Sequence, residues 1–451
     1  MASAAEQLAA NISLSTFSKA TELKKRIWFT LGALVLFRFL SFVPLPGINP
    51  LAMAELFQTA QGGVLDFFNT FSGGSLERMS VIAVGVMPYI TASIVIQLVA
   101  SLHEPWKQLK KEGEVGRKKL NQYTRYLTVL LTIGYGYGVA TQLMAAQASP
   151  VVAPGMLFII STMVCLTAGT LFLMWLGEQI TARGIGNGVS LIIMAGIVAT
   201  IPQALAQLFE GGRTGTMDPT IVFAIVIAVV LLVMAICFME RAQRRVLIQY
   251  PKRQTARGMM QQERSHLPLK LNTSGVIPPI FASSLLLLPL TVLQLSGSGA
   301  TPDSTTGDWL ITVSTYLQHG APLYLLLYAA GIAFFAFFYT AVQFNSEDTA
   351  ENLKRHGGFI PGIRPGKATE QYFDYLLNRI TVIGATYLVI ICLIPEIAIS
   401  QAGIPFYLGG TSLLIVVNVT MDTVSQIQSH LIAHQYGDLI KKAKLKGGRR
   451  R

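Results

Sequence analysis

Ten apolar windows recur along the 451 residues, and each is close to the length of a membrane-spanning helix. They fall at residues 27–43, 80–100, 124–146, 154–177, 187–208, 219–239, 275–295, 322–343, 378–395 and 406–429. A helix needs about 20 predominantly apolar residues to cross a bilayer. The chain is also 52% hydrophobic and only 13% charged, whereas soluble domains carry about 25% charged residues. The sequence therefore predicts an all-α integral membrane protein with ten transmembrane helices.

The positions of lysine and arginine orient these helices. If the amino terminus is cytoplasmic, 32 of the 35 basic residues lie on the inner side of the membrane. Only Arg38, Arg78 and Arg213 then lie at or near the outer side. Cytoplasmic loops of membrane proteins carry such an excess of Lys and Arg. We therefore expect both termini to be cytoplasmic, which agrees with an even number of spans.

A Gly-rich polar segment, Glu210–Asp218, divides the windows into five and five. This predicts an amino-terminal half at residues 1–208 and a carboxy-terminal half at residues 209–451. The second half carries two long cytoplasmic loops, at residues 241–273 and 344–378, and a basic tail. Because each half has an odd number of spans, an internal repeat would have inverted topology.

The stretch from Gly62 to Ala100 contains a segment too short to cross a membrane. Residues 64–71 lie between two glycine pairs and mix Phe, Leu and Val with three polar residues, and the apolar run Met79–Ala100 follows. Irregular backbone persists at membrane depth only where protein buries it or water lines it. One interpretation is thus a short re-entrant helix beside a pore or transport pathway. The other is an interfacial helix on the outer leaflet, and the residues alone leave both open.

The sequence has no constellation typical of an enzyme or a metal site. Nucleotide-binding glycine loops, paired carboxylates and metal-ligand spacings are missing from the apolar windows, and the six histidines lie in loops or at helix ends. We therefore predict no enzymatic activity, no cofactor and no metal. Asp422 is the one acid well inside a window. A charge within a membrane segment is often functional, but Asp422 lies toward the cytoplasmic end, where a Ser or Lys partner predicts a structural role.

The two long cytoplasmic loops carry separate signals. In the first, Arg241–Thr273, apolar residues at 246–248 and breaks at proline and glycine favour an extended hairpin over a helix. The second contains GGFIPGIRPGKAT, whose prolines and glycines form a stiff turn that presents Arg364. Long loops of this kind are typical of binding surfaces.

Four long motifs occur in a fixed order. They are GVMPYITASIVIQL at 85–98, EQITARGIGNGVSLII at 178–193, GGFIPGIRPGKAT at 357–369 and GGTSLLIVV at 409–417. They resemble the SecY family, the large subunits of bacterial protein-translocation channels. The resemblance extends from the first window to the basic tail, with ten windows in register.

The resemblance implies a function that composition does not give. A channel of this kind passes unfolded polypeptides across the bacterial cytoplasmic (inner) membrane and releases hydrophobic segments sideways into the lipid bilayer. The implied partners are SecE-type and SecG-type small membrane subunits, a SecA-type motor ATPase, the ribosome with its ribosomal RNA, and signal sequences. The protein would be a multi-pass protein of that membrane.

The resemblance also assigns the residues that close the pore. The plug, on the outer side, comprises Val64, Leu65, Asp66, Phe67, Phe68, Asn69, Thr70 and Phe71. The apolar pore ring comprises Val86, Ile90, Val189, Ile193, Ile280 and Ile415. A ring of branched aliphatic side chains offers water no hydrogen bonds, so a narrow pore dewets. Family members usually carry Ile at most ring positions, and Val at 86 and at 189 removes a methylene at each.

A lateral gate is implied between the second and third helices and the seventh and eighth. Thr91 and Ser284 are its predicted polar residues, since hydrogen bonds between membrane helices are modest and breakable. Prolines 278 and 279 would loosen the seventh helix where it moves. Arg364, Arg253 and Arg257 are the predicted contacts to the motor and the ribosome.

A secondary transporter is the alternative function for such a chain. Its midplane site needs convergent polar or charged groups from both halves. Asp422 is alone at depth, which argues against a transporter.

Overall fold

The structure is a computed structural model that describes residues 21–50, 52–53, 69, 71–145, 150–215, 218–250, 254–255, 258–259, 264–286, 321–402 and 409–447. Helices dominate these residues. They are α1 Thr21–Leu40, α2 Met87–Leu102, α3 Glu104–Lys111, α4 Glu114–Ala145, α5 Met156–Arg183, α6 Gly188–Thr214, α7 Pro219–Arg241, α8 Ile277–Leu286, α9 Pro322–Gln343, α10 Ser346–Arg355, α11 Lys367–Ala402 and α12 Gly410–Gly447.

Each of the ten predicted windows contains one of these helices, and α3 and α10 are additional. Within the described residues, six helical segments are long and apolar enough to cross a membrane, namely α4, α5, α6, α7, α9 together with α10, and α11. Helices α2 and α8 are apolar but shorter. The helical, multi-pass membrane architecture predicted from the sequence is therefore confirmed.

Several helices extend further than the apolar windows predict. The segment between the second and third windows is largely helical, because α3 spans Glu104–Lys111 and α4 already begins at Glu114. The second half of the 344–378 loop likewise forms the start of α11. Helix α6 continues through Thr214, beyond the predicted boundary at residue 208, and ends at Gly215 with a left-handed φ of 77°. Apolar windows mark only the part of a helix that lies in hydrocarbon, whereas its hydrogen bonds continue to a cap.

The hairpin predicted in the first cytoplasmic loop is confirmed. Strand β1 Gln243–Gln249 pairs antiparallel with strand β4 Arg264–Lys270, so that Gln243 lies opposite Lys270 and Gln249 opposite Arg264. Two short strands, β2 Gln254–Thr255 and β3 Gly258–Met259, pair between them. Val246 and Ile248 point to the buried face of the ribbon, as the alternating pattern requires.

Helices α4, α5 and α6 pack in series, and α12 contacts α1, α6 and α7, so the last helix joins the two predicted halves. Small residues permit the closest approaches. An ideal Cβ on Gly169 would lie 2.1 Å from the carbonyl oxygen of Val81, and one on Gly188 would lie 1.9 Å from that of Gly177. Because lipid gives helices little hydrophobic reason to associate, such close backbone packing contributes much of their attraction.

We expect Gly169→Ala to destabilise the protein, because its new methyl group meets a backbone carbonyl that cannot rotate away. Overpacking of this kind costs about 1–3 kcal/mol. Gly134→Ala on α4 is the matched control, since nothing lies within 4 Å of an added Cβ there. Thermal unfolding of both purified variants checks this: Gly169→Ala should melt below the parent and Gly134→Ala should not. Equal melting temperatures would contradict the close contact.

Candidate functional site

The second apolar window is not one continuous helix. The sequence predicts a span from Met79, but α2 begins only at Met87, and the residues before it form turns. Met79 has a φ of 45° and Gly85 a φ of 62°, which helical backbone does not adopt. The N–H of Leu45 donates to the Met79 carbonyl at 2.9 Å. Since most of this segment is buried, its irregular backbone is enclosed by protein, as membrane depth demands.

Only the end of the predicted plug lies within the described residues. Val64, Leu65, Asp66, Phe67, Phe68 and Thr70 lie outside them. We define the plug end as Asn69 with Phe71–Gly74. The backbone carbonyl of Asn69 accepts hydrogen bonds from the Gly74 N–H at 2.9 Å and from Ser72 Oγ at 3.1 Å. Its side-chain oxygen accepts from the N–H of Glu77 at 3.0 Å. Asn69 thus closes a compact turn that fixes the plug end to the residues after it.

All six predicted ring residues belong to one apolar cluster. Those that are themselves buried are Val86, Ile90, Ile193 and Ile415, whereas Val189 and Ile280 are partly buried and pack against them. They come from the start of α2, from α6, from α8 and from α12. Phe71 of the plug end is buried in the same cluster. The structure therefore brings together four helices and the plug end through residues far apart in sequence.

The two predicted gate residues are buried, but neither bridges two helices. The Thr91 hydroxyl donates to the Met87 carbonyl of its own helix at 3.1 Å. The Ser284 hydroxyl has no hydrogen-bond partner within the described part of the chain. Helix α8, which carries Ser284, packs on α9 through edge-on contact of Phe281 with Phe335 at 5.7 Å. The contact between α8 and α9 is therefore aromatic, and no polar bond to Ser284 contributes to it.

The two long loops, at residues 241–273 and 344–378, form one structural unit, which the sequence did not predict. Gln249 at the end of β1 and Phe359 in the second loop exchange backbone hydrogen bonds of 2.9 and 3.0 Å. Beneath this pair, Val246 and Leu269 of the hairpin are buried in an apolar cluster with Ile360 and with residues of α11. Each loop thus packs on the other through backbone hydrogen bonds and a shared apolar cluster.

Arg364 lies at the exposed tip of this unit. Its backbone carbonyl accepts a hydrogen bond from Thr369 Oγ1 at 2.9 Å. The turn on which it stands uses left-handed glycines, with φ of 84° at Gly362 and 111° at Gly366, a conformation that glycine adopts without strain. The turn predicted from the prolines and glycines is confirmed. Arg253 and Arg257, the other two predicted contacts, lie outside the described residues.

Comparison with known protein families shows to which family this chain belongs. The family described as SecY matches residues 80–424, which is more than half of the chain. The chain belongs to the SecY family. It is similar to the protein translocase subunit SecY of Rickettsia conorii, with 53% identity over 435 residues that cover 95% of this chain and 99% of that protein. It is also similar to the protein translocase subunit SecY of Escherichia coli K12, with 49% identity covering 94% and 96% of the two chains.

A solved structure shares the SecY-family fold at much lower sequence identity. Sec61 of the canine ribosome-channel complex from the endoplasmic reticulum is 16% identical to this chain, with a TM-score of 0.64, and the match covers 90% of this chain and 92% of that one. At this identity, the similarity shows that the two chains share a fold.

Sequence reasoning missed a buried polar network in this SecY-family chain. Asn272 Nδ2 donates to Glu240 Oε1 at 2.6 Å and to the Gly275 carbonyl at 3.1 Å. Ser274 Oγ donates to Asn272 Oδ1 at 3.2 Å. The network joins the end of α7 to the residues before α8. Two acids just outside the apolar windows are also buried in the protein, since Glu240 and Glu396 are 6% and 4% exposed. Both follow directly after the last residue of an apolar window, which is why hydropathy alone did not include them.

Asp422 has the partner that a structural role requires. Lys270 Nζ, at the end of β4, lies 3.6 Å from Asp422 Oδ1, and both side chains are exposed. An exposed ion pair contributes about 0–1 kcal/mol to stability, so the Lys270–Asp422 pair positions the hairpin more than it stabilises the fold.

Among the described residues, no group of three or more His, Cys, Asp and Glu is placed to hold a metal ion.

Proposed function

We propose that this chain is the channel-forming subunit of a protein translocase, which passes unfolded polypeptides across the membrane. The observation that carries this proposal is the apolar cluster, in which six aliphatic residues from four helices meet the plug end. Side chains of this kind bind neither ions nor water, so a constriction lined by them resists leakage while it accepts a chain of any sequence. Relatives at about 50% identity are named protein translocase subunits.

In this proposal Val86, Ile90, Val189, Ile193, Ile280 and Ile415 form the pore ring, and residues 64–71 form a plug that closes its outer side. Burial of Phe71 in the same cluster as the ring supports this assignment. Thr91 and Ser284 lie at a lateral gate through which hydrophobic segments enter the bilayer. Among the described residues the buried Ser284 hydroxyl has no hydrogen-bond partner, so no polar bond holds that face of α8, which suits a helix that moves.

The proposal places both termini and the two docked loops in the cytoplasm of a bacterium, with the chain in the inner membrane. It assigns one half of the channel to residues 1–208 and the other to residues 209–451, with inverted topology between them. Arg364, Arg253 and Arg257 contact the motor ATPase or the ribosome, and SecE-type and SecG-type subunits complete the complex. Support for a ribosome comes from the canine ribosome-channel complex, whose Sec61 has the same fold. The chain itself performs no catalytic step, because ATP hydrolysis belongs to the motor.

Reconstitution tests this function. The purified complex in proteoliposomes, with the motor ATPase and ATP, should import a polypeptide bearing a signal sequence and protect it from added protease. The matched control is the same polypeptide with charged residues in its signal sequence, which should remain outside. Accumulation of a small solute along an ion gradient, without polypeptide import, would instead identify a secondary transporter.

A further inference from the structure

Among the described residues, one side-chain hydrogen bond joins the plug end to α1. Arg38, in the last turn of α1, donates from Nη1 to the carbonyl oxygen of Gly73 at 2.6 Å. This hydrogen bond is charge-assisted and short, and such bonds are about twice as strong as neutral ones. It joins residues 35 positions apart. The bond forms only while the plug end lies in its present position.

The surface on which the plug end lies is closely fitted. Gly73 has a φ of 71°, and an ideal Cβ on it would lie 2.9 Å from the Cα of Gly196 on α6. An ideal Cβ on Gly196 would in turn lie 2.9 Å from the carbonyl oxygen of Phe71. The plug end therefore packs backbone to backbone against α6, and Arg38 bonds to the same glycine, Gly73. If the plug end moves away from α6, both this close packing and the hydrogen bond to Arg38 are lost.

Arg38 lies close to a second arginine, Arg78. Arg38 and Arg78 both lie over the ring of Phe42, at 4.8 and 4.3 Å from its centroid. Among the described residues no carboxylate forms an ion pair with either arginine, and Nη1 of Arg78 is buried without a hydrogen-bond partner. The two arginines therefore carry like charges beside one aromatic ring, but among the described residues only Arg38 bonds to the plug end.

We propose that Arg38 is the latch of the plug end, a positioning residue whose bond to the Gly73 carbonyl keeps the pore closed at rest. The inference rests on the proposed function, in which the plug closes the outer side of the pore. Movement of the plug end away from α6 removes the acceptor from Arg38, and return of the plug end restores it. Arg78 has no such bond, although it has the same charge and lies over the same ring.

Accessibility of the plug end tests the latch directly. Ser72 is 5% exposed, so a Ser72→Cys variant, with the three native cysteines replaced by serine, should react slowly with a membrane-impermeant maleimide added from the outer side. In this background Arg38→Met should speed labelling about tenfold or more, the factor expected for loss of one hydrogen bond to a charged group. Resting ion conductance in planar bilayers should rise with it. Arg78→Met, the matched control, should leave both values within about twofold of the parent.

Three results would overturn the latch. The first is a parental labelling rate in Arg38→Met. The second is an equal rise of the labelling rate in Arg78→Met, which would assign the effect to charge or to the Phe42 ring. The third is faster labelling of Arg38→Met without a rise in conductance. If Arg38→Met fails to assemble, Arg38→Gln replaces it, because its amide ends well short of a guanidinium; parental labelling there would also reject the proposal. Polypeptide import by the parent in the same vesicles is scored separately, so failure of the channel function is distinguishable from failure of the latch.

Discussion

Asparagine at a single ring position should let the channel export polypeptides whose signal sequence is defective. Ile90→Asn, Ile193→Asn and Ile415→Asn each replace a buried aliphatic side chain with an amide that binds water. Full burial of an isoleucine is favourable by about 1.5–3 kcal/mol relative to exposure to water, and we expect opening of the pore to expose the ring. If most of this favourable free energy is lost, the fraction of channels that are open at rest rises about tenfold or more. A weak signal sequence then suffices to open the pore.

The measurement is export of a reporter with a crippled signal sequence, expressed per assembled channel. Ile192→Asn is the matched control, because Ile192 is buried beside Ile193 in the same cluster but is not a ring residue. It should lower the amount of channel without increasing export per channel. If no ring variant exports more reporter than the parent, or if Ile192→Asn does so equally, the ring assignment is wrong.

Replacement of Arg364 with lysine should impair motor-driven translocation although the charge is retained. The guanidinium stands on a turn fixed by Gly362 and Gly366 and docked on the hairpin through Phe359. A planar guanidinium binds a carboxylate or phosphate with two parallel hydrogen bonds, and an ammonium does not. Loss of one such contact slows translocation about tenfold or more. Arg364→Glu, which adds repulsion, should be slower still.

ATP-dependent import into vesicles with matched amounts of channel provides the assay. Arg355→Lys is the control, since Arg355 is also an exposed arginine of the 344–378 loop and pairs with Glu351 on its own helix. It should import at the parental rate. Parental rates for Arg364→Lys and Arg364→Glu would leave Arg364 as a topology signal only, and an equal defect in Arg355→Lys would point to a general effect of charge.

The amino-acid sequence by itself determined the class of this protein, because a bilayer imposes a strong local rule. Every backbone polar group in hydrocarbon needs a partner within the protein, so long apolar windows become helices. Local patterns also predicted two elements outside the apolar windows. The hairpin at 243–270 followed from apolar residues at 246–248 between breaks at proline and glycine, and the turn around Arg364 followed from its prolines and glycines. The motifs around Val86, Val189, Arg364 and Ile415 gave the family.

Tertiary structure decided what local patterns do not contain. The break before α2 depends on burial by other segments, since Met79–Val86 is as apolar as the helix that follows. The bond from Arg38 to Gly73 joins residues 35 positions apart, and the pair Gln249 and Phe359 joins two loops across several helices. Glu240 is buried because Asn272 satisfies it, which no hydropathy window records. These contacts arise only when distant segments meet, so their partners cannot be derived from one segment alone.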